Sequence, residues 1–270
     1  MRTISHSEAC SFWDCPYKWK LIYKDNIKKS NIYLEFGEMA HKVLETREIP
    51  DEALYSNLKD AFDIKSWDKY FNNIFNILDN LLSDYNILNR ELKINYKSIT
   101  GVIDLVCQHK QSKEFYLFDY KFTENPKTYD DIFLDEQLKI YAYLMNKTFW
   151  IDYDKINVGY ISIPKKQIDY PQILKNGTLS KSKSQQTTYE LYVELIEKLK
   201  LDKNDYLDIL EYLHDIQYIK TIISKVDEEQ VLKTILNLEN TIYNMDNSKL
   251  MYCNNSTKCK NCEYIKECKY

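Results

Sequence analysis

Asp104, Asp119 and Lys121 are the residues whose types and spacing suggest chemistry. The stretch FYLFDYKFT at 115–123 reads as an apolar strand carrying an aspartate and a lysine two residues apart. Side chains alternate along a strand, so Asp119 and Lys121 share a face and Tyr120 takes the other. Burying two such charges is costly unless something uses them. VIDLVCQ (102–108) reads as a second strand, and the polar HKQSK between the two suits a hairpin turn, which places Asp104 beside Asp119. Neighbouring carboxylates repel each other, and a divalent cation such as Mg2+ or Mn2+ removes the repulsion by binding both. With an ammonium on the same face, the set suits phosphodiester hydrolysis, because cation and lysine both stabilise charge building on phosphate oxygens.

D-x-K alone is a weak motif. Asp63-Ile64-Lys65 repeats it, and Glu91-Leu92-Lys93 and Glu267-Cys268-Lys269 satisfy the looser E-x-K form. The first lies in a helical pattern and the last in a cysteine-bearing tail. Glu91 opens a strand but lacks a preceding Gly-x-x-Asp, so it is set aside. Only Asp119 has the strand, the earlier aspartate and a suitable continuation, EQLKIYAYL. There Gln137 and Tyr141 stand four apart on one helix face. Tyr141 also fits an ordinary core role with Leu134, Leu138 and Met145. His41, taken singly, reads as a partly buried histidine.

The elements that position these residues follow from periodicity. Ser5 and Glu8 have capping-box spacing, and Pro16 opens a second short helix. Helical spacing recurs over 33–48, 51–63 and 66–83, then gives way to strands at 91–96, 102–108 and 114–121. A helix is expected over 131–146 and a strand over 156–163. A polar loop follows at 164–186, then three helices over 187–244 and the tail. With 270 residues, 44% of them hydrophobic, the chain can bury the core of one large domain or a domain with a small appendage. The net charge of −4 argues against a sequence-independent nucleic-acid coat and leaves room for a local basic groove. The N-terminus lacks a signal-peptide core and no segment has the apolar length of a membrane span, so a cytoplasmic protein is expected.

In a reducing compartment the seven cysteines are expected to be ligands or buried thiols. Cys253, Cys259, Cys262 and Cys268 in the tail could bind zinc or an iron-sulfur cluster, and spacing does not separate the two. One arrangement is a knuckle using all four. Only Cys259 and Cys262 form a close pair, however, and the alternative takes Cys15, just before Pro16, and leaves Cys253 out.

The ordered set CPYKWKLIY, GEMAH, GVID, DYK and QLKIY resembles the RecB-like branch of the PD-(D/E)XK nuclease superfamily, from the N-terminal helix to the final cysteines. The resemblance implies an α/β, restriction-endonuclease-like fold with a mixed central sheet flanked by helices. It implies one nuclease domain over 1–270, with a helical insertion at 49–88, catalytic strands and helix at 91–163 and the polar loop with helices at 164–244. A tail at 253–270, completed by Cys15, closes on the N-terminal helix. Asp104 and Asp119 would be the metal carboxylates, with the Tyr120 backbone carbonyl and His41 as further ligands. Lys121 would position or activate the attacking water, and Gln137 and Tyr141 would hold the centre and the DNA. Glu38, one turn before His41, is a weaker candidate ligand.

Iron-sulfur nucleases of this branch join one early cysteine to three late ones. That implies a 4Fe-4S cluster on Cys15, Cys259, Cys262 and Cys268, in preference to zinc, with Cys10, Cys107 and Cys253 as free thiols. The activity implied is a Mg2+ or Mn2+ dependent exonuclease on DNA with a free end, in recombination, repair or phage-type processing, with a recombination or helicase protein as partner. NGTLSKSKSQQTTYELY resembles a loop and helix of phage-type members. Lys165, Lys166, Lys181 and Lys183, with Lys175 and the run Lys18 to Lys29, either line a phosphate-binding groove or are solvated surface. The rival reading is an iron-sulfur DNA-binding or assembly subunit with a vestigial centre; an RNA-directed enzyme of the same fold is a third.

Overall fold

The computed structural model describes residues 3–216, 219–247, 252–253 and 257–268. Parts of the expected tail, 254–256 and 269–270, lie outside the described residues, as does Lys269 of the last E-x-K match. In chain order the elements are β1 (Ile4–Ser5), α1 (His6–Asp14), α2 (Pro16–Trp19), α3 (Ile32–Thr46), α4 (Ser56–Ala61), α5 (Trp67–Leu81), β2 (Tyr85–Tyr96), β3 (Ile99–His109) and β4 (Phe115–Phe122). They continue as α6 (Tyr129–Leu134), α7 (Glu136–Phe149), β5 (Ile156–Ile163), α8 (Tyr189–Leu199), α9 (Leu207–Ile216), β6 (Lys220–Lys225) and α10 (Glu228–Asn247).

The strands form one mixed six-stranded sheet. β3 pairs antiparallel with β2 on one side. On its other side it pairs parallel with β1 near its start and antiparallel with β4 near its end. β4 pairs parallel with β5, and β5 antiparallel with β6. Every residue of β5 is buried, as expected of an inner strand covered on both faces.

Helices cover both faces, giving the expected mixed sheet flanked by helices. On one side α7 and α10 bury Leu138, Tyr141, Leu144, Leu238 and Met245. On the other, α3 and α5 bury Phe36, Leu44, Trp67, Phe71 and Ile74 against Phe118 and Tyr120. The apolar residues of α5 recur at helical intervals, and its start is fixed by Ser66, whose hydroxyl accepts the Lys69 N–H. A smaller cluster joins α8, α9 and Leu179.

Several boundaries correct the expectations. The 49–88 segment is not helical to its end: β2 begins at Tyr85, six residues before the expected strand at 91. Its first residues, NILNR, do not alternate in polarity, because most of that stretch is exposed and the register shifts between Ile87 and Asn89. The expected run of three helices over 187–244 contains β6, a six-residue edge strand flanked by lysines. β1 was hidden by its two-residue length, although Ser5 does cap α1 by accepting the Glu8 N–H at 3.2 Å. The single helix expected over 131–146 is two, α6 and α7. Asp135 ends the first with extended backbone and caps the second, accepting the Leu138 N–H at 2.9 Å.

Candidate active site

The β3–β4 ladder runs from Gln108↔Phe115 to Leu105↔Phe118 and stops. Asp104 and Asp119 would be the next pair, so both carboxylates sit where the two strands part. Asp104 Oδ2 accepts the Tyr120 N–H at 2.7 Å, which takes over the place of a ladder bond and pins that carboxylate between the strands. Both acids are buried, Asp104 to 8% exposure and Asp119 to 3%. Burial and repulsion from Asp104 push the Asp119 carboxyl up to about 7, against the pull of Lys121 and His41.

Lys121 Nζ stands 2.6 Å from Asp119 Oδ2. The contact is a buried ion pair, so the ammonium neutralises the Asp119 carboxylate directly. Burial acts to lower the Lys121 pKa, but Asp119, Asp135 and Asp104 overcome this and raise it, so the side chain is an ammonium at neutral pH. Lys121 Nζ reaches Gln137 Oε1 at 3.5 Å, and Gln137 Nε2 donates to the Tyr141 hydroxyl at 2.5 Å. Gln137 and Tyr141 thus extend the acid pair onto α7. Gly101 lets α7 come this close, because a Cβ there would lie 3.1 Å from the Tyr141 ring and 3.2 Å from Leu144.

α3 brings His41 in from the other face. Its Nδ1 is 3.4 Å from Asp104 Oδ2 and 3.6 Å from Glu91 Oε1. Burial alone would lower the imidazole pKa, yet hydrogen bonding to Asp104 and Glu91, aided by Asp119, drives it up to about 10. Glu38 is exposed one turn earlier. The Tyr120 side chain is buried beside His41, ring centres 6.3 Å apart.

Glu91 is the residue that sequence reasoning passed over. The pairs Arg90↔Leu105 and Leu92↔Ile103 flank it, which sets Glu91 opposite Asp104. Its φ of 51° is left-handed, costly for a residue with a Cβ. His41, Glu91 and Asp104 each offer one ligand atom, all within 4.8 Å of one another. Carboxylates with an imidazole suit a hard or borderline divalent cation, and Asp119 stands across the strand fork from Asp104. The available signal was the strand register: a charged residue across from Asp104.

The cysteines gather elsewhere. Cys15, Cys253, Cys259, Cys262 and Cys268 line one cavity of about 200 Å3. Cys15 caps α2, its sulfur accepting the Lys18 N–H at 3.5 Å, and Cys268 Sγ is 3.5 Å from Cys253 Sγ. The structure therefore places Cys253 in the same cavity as the other four. Cys107 is buried in β3, where desolvation pushes its thiol up to about 12. Cys10 stands apart, its sulfur 3.3 Å from His6 Nε2.

Of the loop lysines, Lys165 and Lys166 follow the end of β5, where Ile163 pairs with Phe122 just beyond Lys121. Lys181 and Lys183 lie instead over Tyr206 and Tyr212, in the α8–α9 region. The early lysine run is partly consumed by the chain itself: Lys20 pairs with Asp25 at 2.5 Å and Lys29 with Glu267 at 2.8 Å. Among the described residues no helix is long and apolar enough to cross a membrane.

A forked mixed sheet with paired aspartates, a lysine and a nearby imidazole is an arrangement that could hold a divalent cation. The family model of the PD-(D/E)XK nuclease superfamily matches residues 3–269, and the chain belongs to that superfamily. Among solved structures, it is similar to a candidate exonuclease from Eubacterium rectale, at 9% identity and a TM-score of 0.49, covering 96% of this chain and 88% of that one. It is also similar to SSO0001, at 14% identity and a TM-score of 0.36, covering 99% and 86%. No curated protein gives a significant sequence match.

Proposed function

We propose that the chain is a Mg2+ or Mn2+ dependent DNA exonuclease of the RecB-like branch, with Asp104, Asp119, His41 and Glu91 as the metal-binding set. The Tyr120 carbonyl is proposed as a further ligand. The observation that carries the reading is the junction of β3 and β4, where two buried carboxylates meet an imidazole and an ammonium. A divalent cation held there supplies Lewis-acid polarisation of a phosphate oxygen and makes water a stronger acid.

The rest of the work belongs to the side chains. Asp104 fixes the strand fork through the Tyr120 N–H and keeps one carboxylate edge toward His41. Lys121, an ammonium held beside Asp119, stabilises negative charge on the reacting phosphate and positions or activates the attacking water. Gln137 and Tyr141 hold the Lys121 side chain on the α7 side. Resemblance of the polar segment to phage-type members supports action on DNA ends in recombination, repair or phage-type processing.

We also propose a 4Fe-4S cluster on Cys15, Cys259, Cys262 and Cys268, with zinc as the alternative. The shared cavity and its soft thiol donors support a metal group there. Incubating end-labelled DNA with the protein and Mn2+ is expected to release nucleotides or short fragments, and Asp119→Ala to lower the rate at least about a hundredfold with unchanged circular dichroism. Equal cleavage by that variant would eliminate the centre.

A further inference from the structure

α3 carries a stripe that the core does not use. Tyr33, Gly37 and His41 recur every four residues and so run along one side of the helix. At 1.5 Å per residue, Tyr33 stands about 12 Å from His41 along the axis. Glycine inside a helix is unfavourable relative to alanine. Yet a Cβ built on Gly37 meets nothing within 4 Å, so packing does not require its absence, and its backbone is ordinary helix. A bare helical turn permits close approach by something outside the chain.

Tyr33, at the outer end of the stripe, is 64% exposed, its ring edge-on to Phe62 at 5.6 Å. Lys165 Nζ lies 5.1 Å from the Tyr33 ring centre and 5.7 Å from that of Phe62. Its neighbour Lys166 pairs with Glu124 at 3.8 Å, whereas Lys165 has no ion-pair partner among the described residues. Partial burial pushes its pKa down, against a smaller upward pull from Glu124, while the ammonium faces the two rings. An exposed ring beside a cation that no carboxylate contacts within ion-pair distance complements a nucleotide: the base stacks on the ring and the phosphate meets the ammonium.

We infer that Tyr33, Gly37 and Lys165 form a seat for an unpaired nucleotide of a DNA single strand, whose backbone then runs along α3 to the metal-binding set. The inference rests on the nuclease reading and specifies its substrate. The 12 Å span corresponds to about three nucleotides at the stacked spacing of a single strand. A base inside a duplex has both faces covered by its neighbours and is not available to the ring. The centre therefore takes single strands, or ends that have opened.

Fluorescence anisotropy in EDTA, with a short labelled single strand and the blunt duplex of the same sequence, tests this. Tyr33→Ala is expected to weaken single-strand binding about tenfold, Tyr33→Phe to leave it close to wild type, and the duplex to respond little. A single abasic site about three nucleotides from the end should cost the wild type a similar factor and Tyr33→Ala nothing more. Gly37→Ala should raise the melting temperature while weakening the single-strand complex, opposite signs that a purely structural role does not produce. Equal binding by wild type and Tyr33→Ala, or an abasic penalty that survives the substitution, overturns the seat. Mn2+ cleavage of the same strand by the wild type is measured in parallel. If it persists while the seat fails, the nuclease reading stands; if wild type neither binds nor cleaves, both fall.

Discussion

Glu91 sits in left-handed backbone at φ 51°, next to a second carboxylate, on a strand whose geometry favours neither. Such strain persists where the surroundings over-determine it, and here those surroundings include His41 and Asp104. Glu91→Gly removes both the strain and a ligand. Its folded-state stability in urea melts is expected to change by less than about 1 kcal/mol, the relief of backbone strain offsetting the lost His41 contact and the added unfolded-state entropy. Mn2+ affinity, read by calorimetry, should fall about tenfold. Unchanged Mn2+ affinity contradicts the assignment.

Asp119 and His41 give a pH dependence whose sign can be worked out. Asp119 rises from 3.8 to about 7 in the folded state and His41 from 6.5 to about 10, so the fold holds protons that the unfolded chain releases. The Asp119 contribution is complete below its unfolded pKa and is lost as pH climbs through about 7. That of His41 is complete below its unfolded value and is lost toward about 10. Metal-free protein should therefore lose stability with rising pH. Mn2+, which binds the deprotonated groups, should raise the melting temperature more at about pH 8 than at about pH 6. Asp119→Asn should flatten the metal-free slope and melt higher than wild type at about pH 8. Parallel slopes for the two proteins would refute the shift.

At the scale of elements, the site depends on two strands parting after Leu105↔Phe118 and on α7 lying close over β3. Gly101→Val forces side-chain atoms into Tyr141 and Leu144, and is expected to cost about 1–3 kcal/mol in chemical denaturation. It should also weaken metal-dependent cleavage by moving Tyr141 and Gln137. The sequence made much of this legible. DYK and VID stand out because each sets a charge inside the near-continuous apolar run of a strand covered on both faces. Gln137 and Tyr141 kept helical spacing, so their common face could be read before any contact was known. The early half of β2, β1 and β6 were not legible: the first is exposed and its register shifts, the second has two residues, and the third is a short edge with lysine ends. Glu91 was set aside as an E-x-K match because its place beside Asp104 lies in cross-strand register, which local pattern does not encode. The break at Asp135 was missed because one residue both ends α6 and caps α7.

Over the whole molecule, the tail closes on the N-terminal region and, through it, on the helix that carries His41. The Tyr17 N–H donates to the Tyr252 carbonyl at 3.2 Å, and Asn31 Nδ2 donates to Glu263 Oε1 at 3.1 Å. Asn31 also caps α3, accepting from the Tyr33 and Leu34 N–H groups at 3.0 Å. Asn31→Ala is expected to lower stability by about 1 kcal/mol through the lost cap. If the cysteine cavity holds a cluster, closing a loop of nearly the whole chain removes unfolded-state freedom. Cys15→Ser should then lose iron and melt lower, while Cys253→Ser keeps its iron. Iron retained by Cys15→Ser, or lost from Cys253→Ser, would redraw the ligand set around the thiol that neighbours Cys268.

The most direct test of the central claim is an anomalous difference map from crystals grown with Mn2+. A manganese peak is predicted at the parting of β3 and β4, bonded by Asp104 and Asp119 with His41 or Glu91 completing its protein ligands. DNA cleavage in Mn2+ with no manganese at that position would contradict the account.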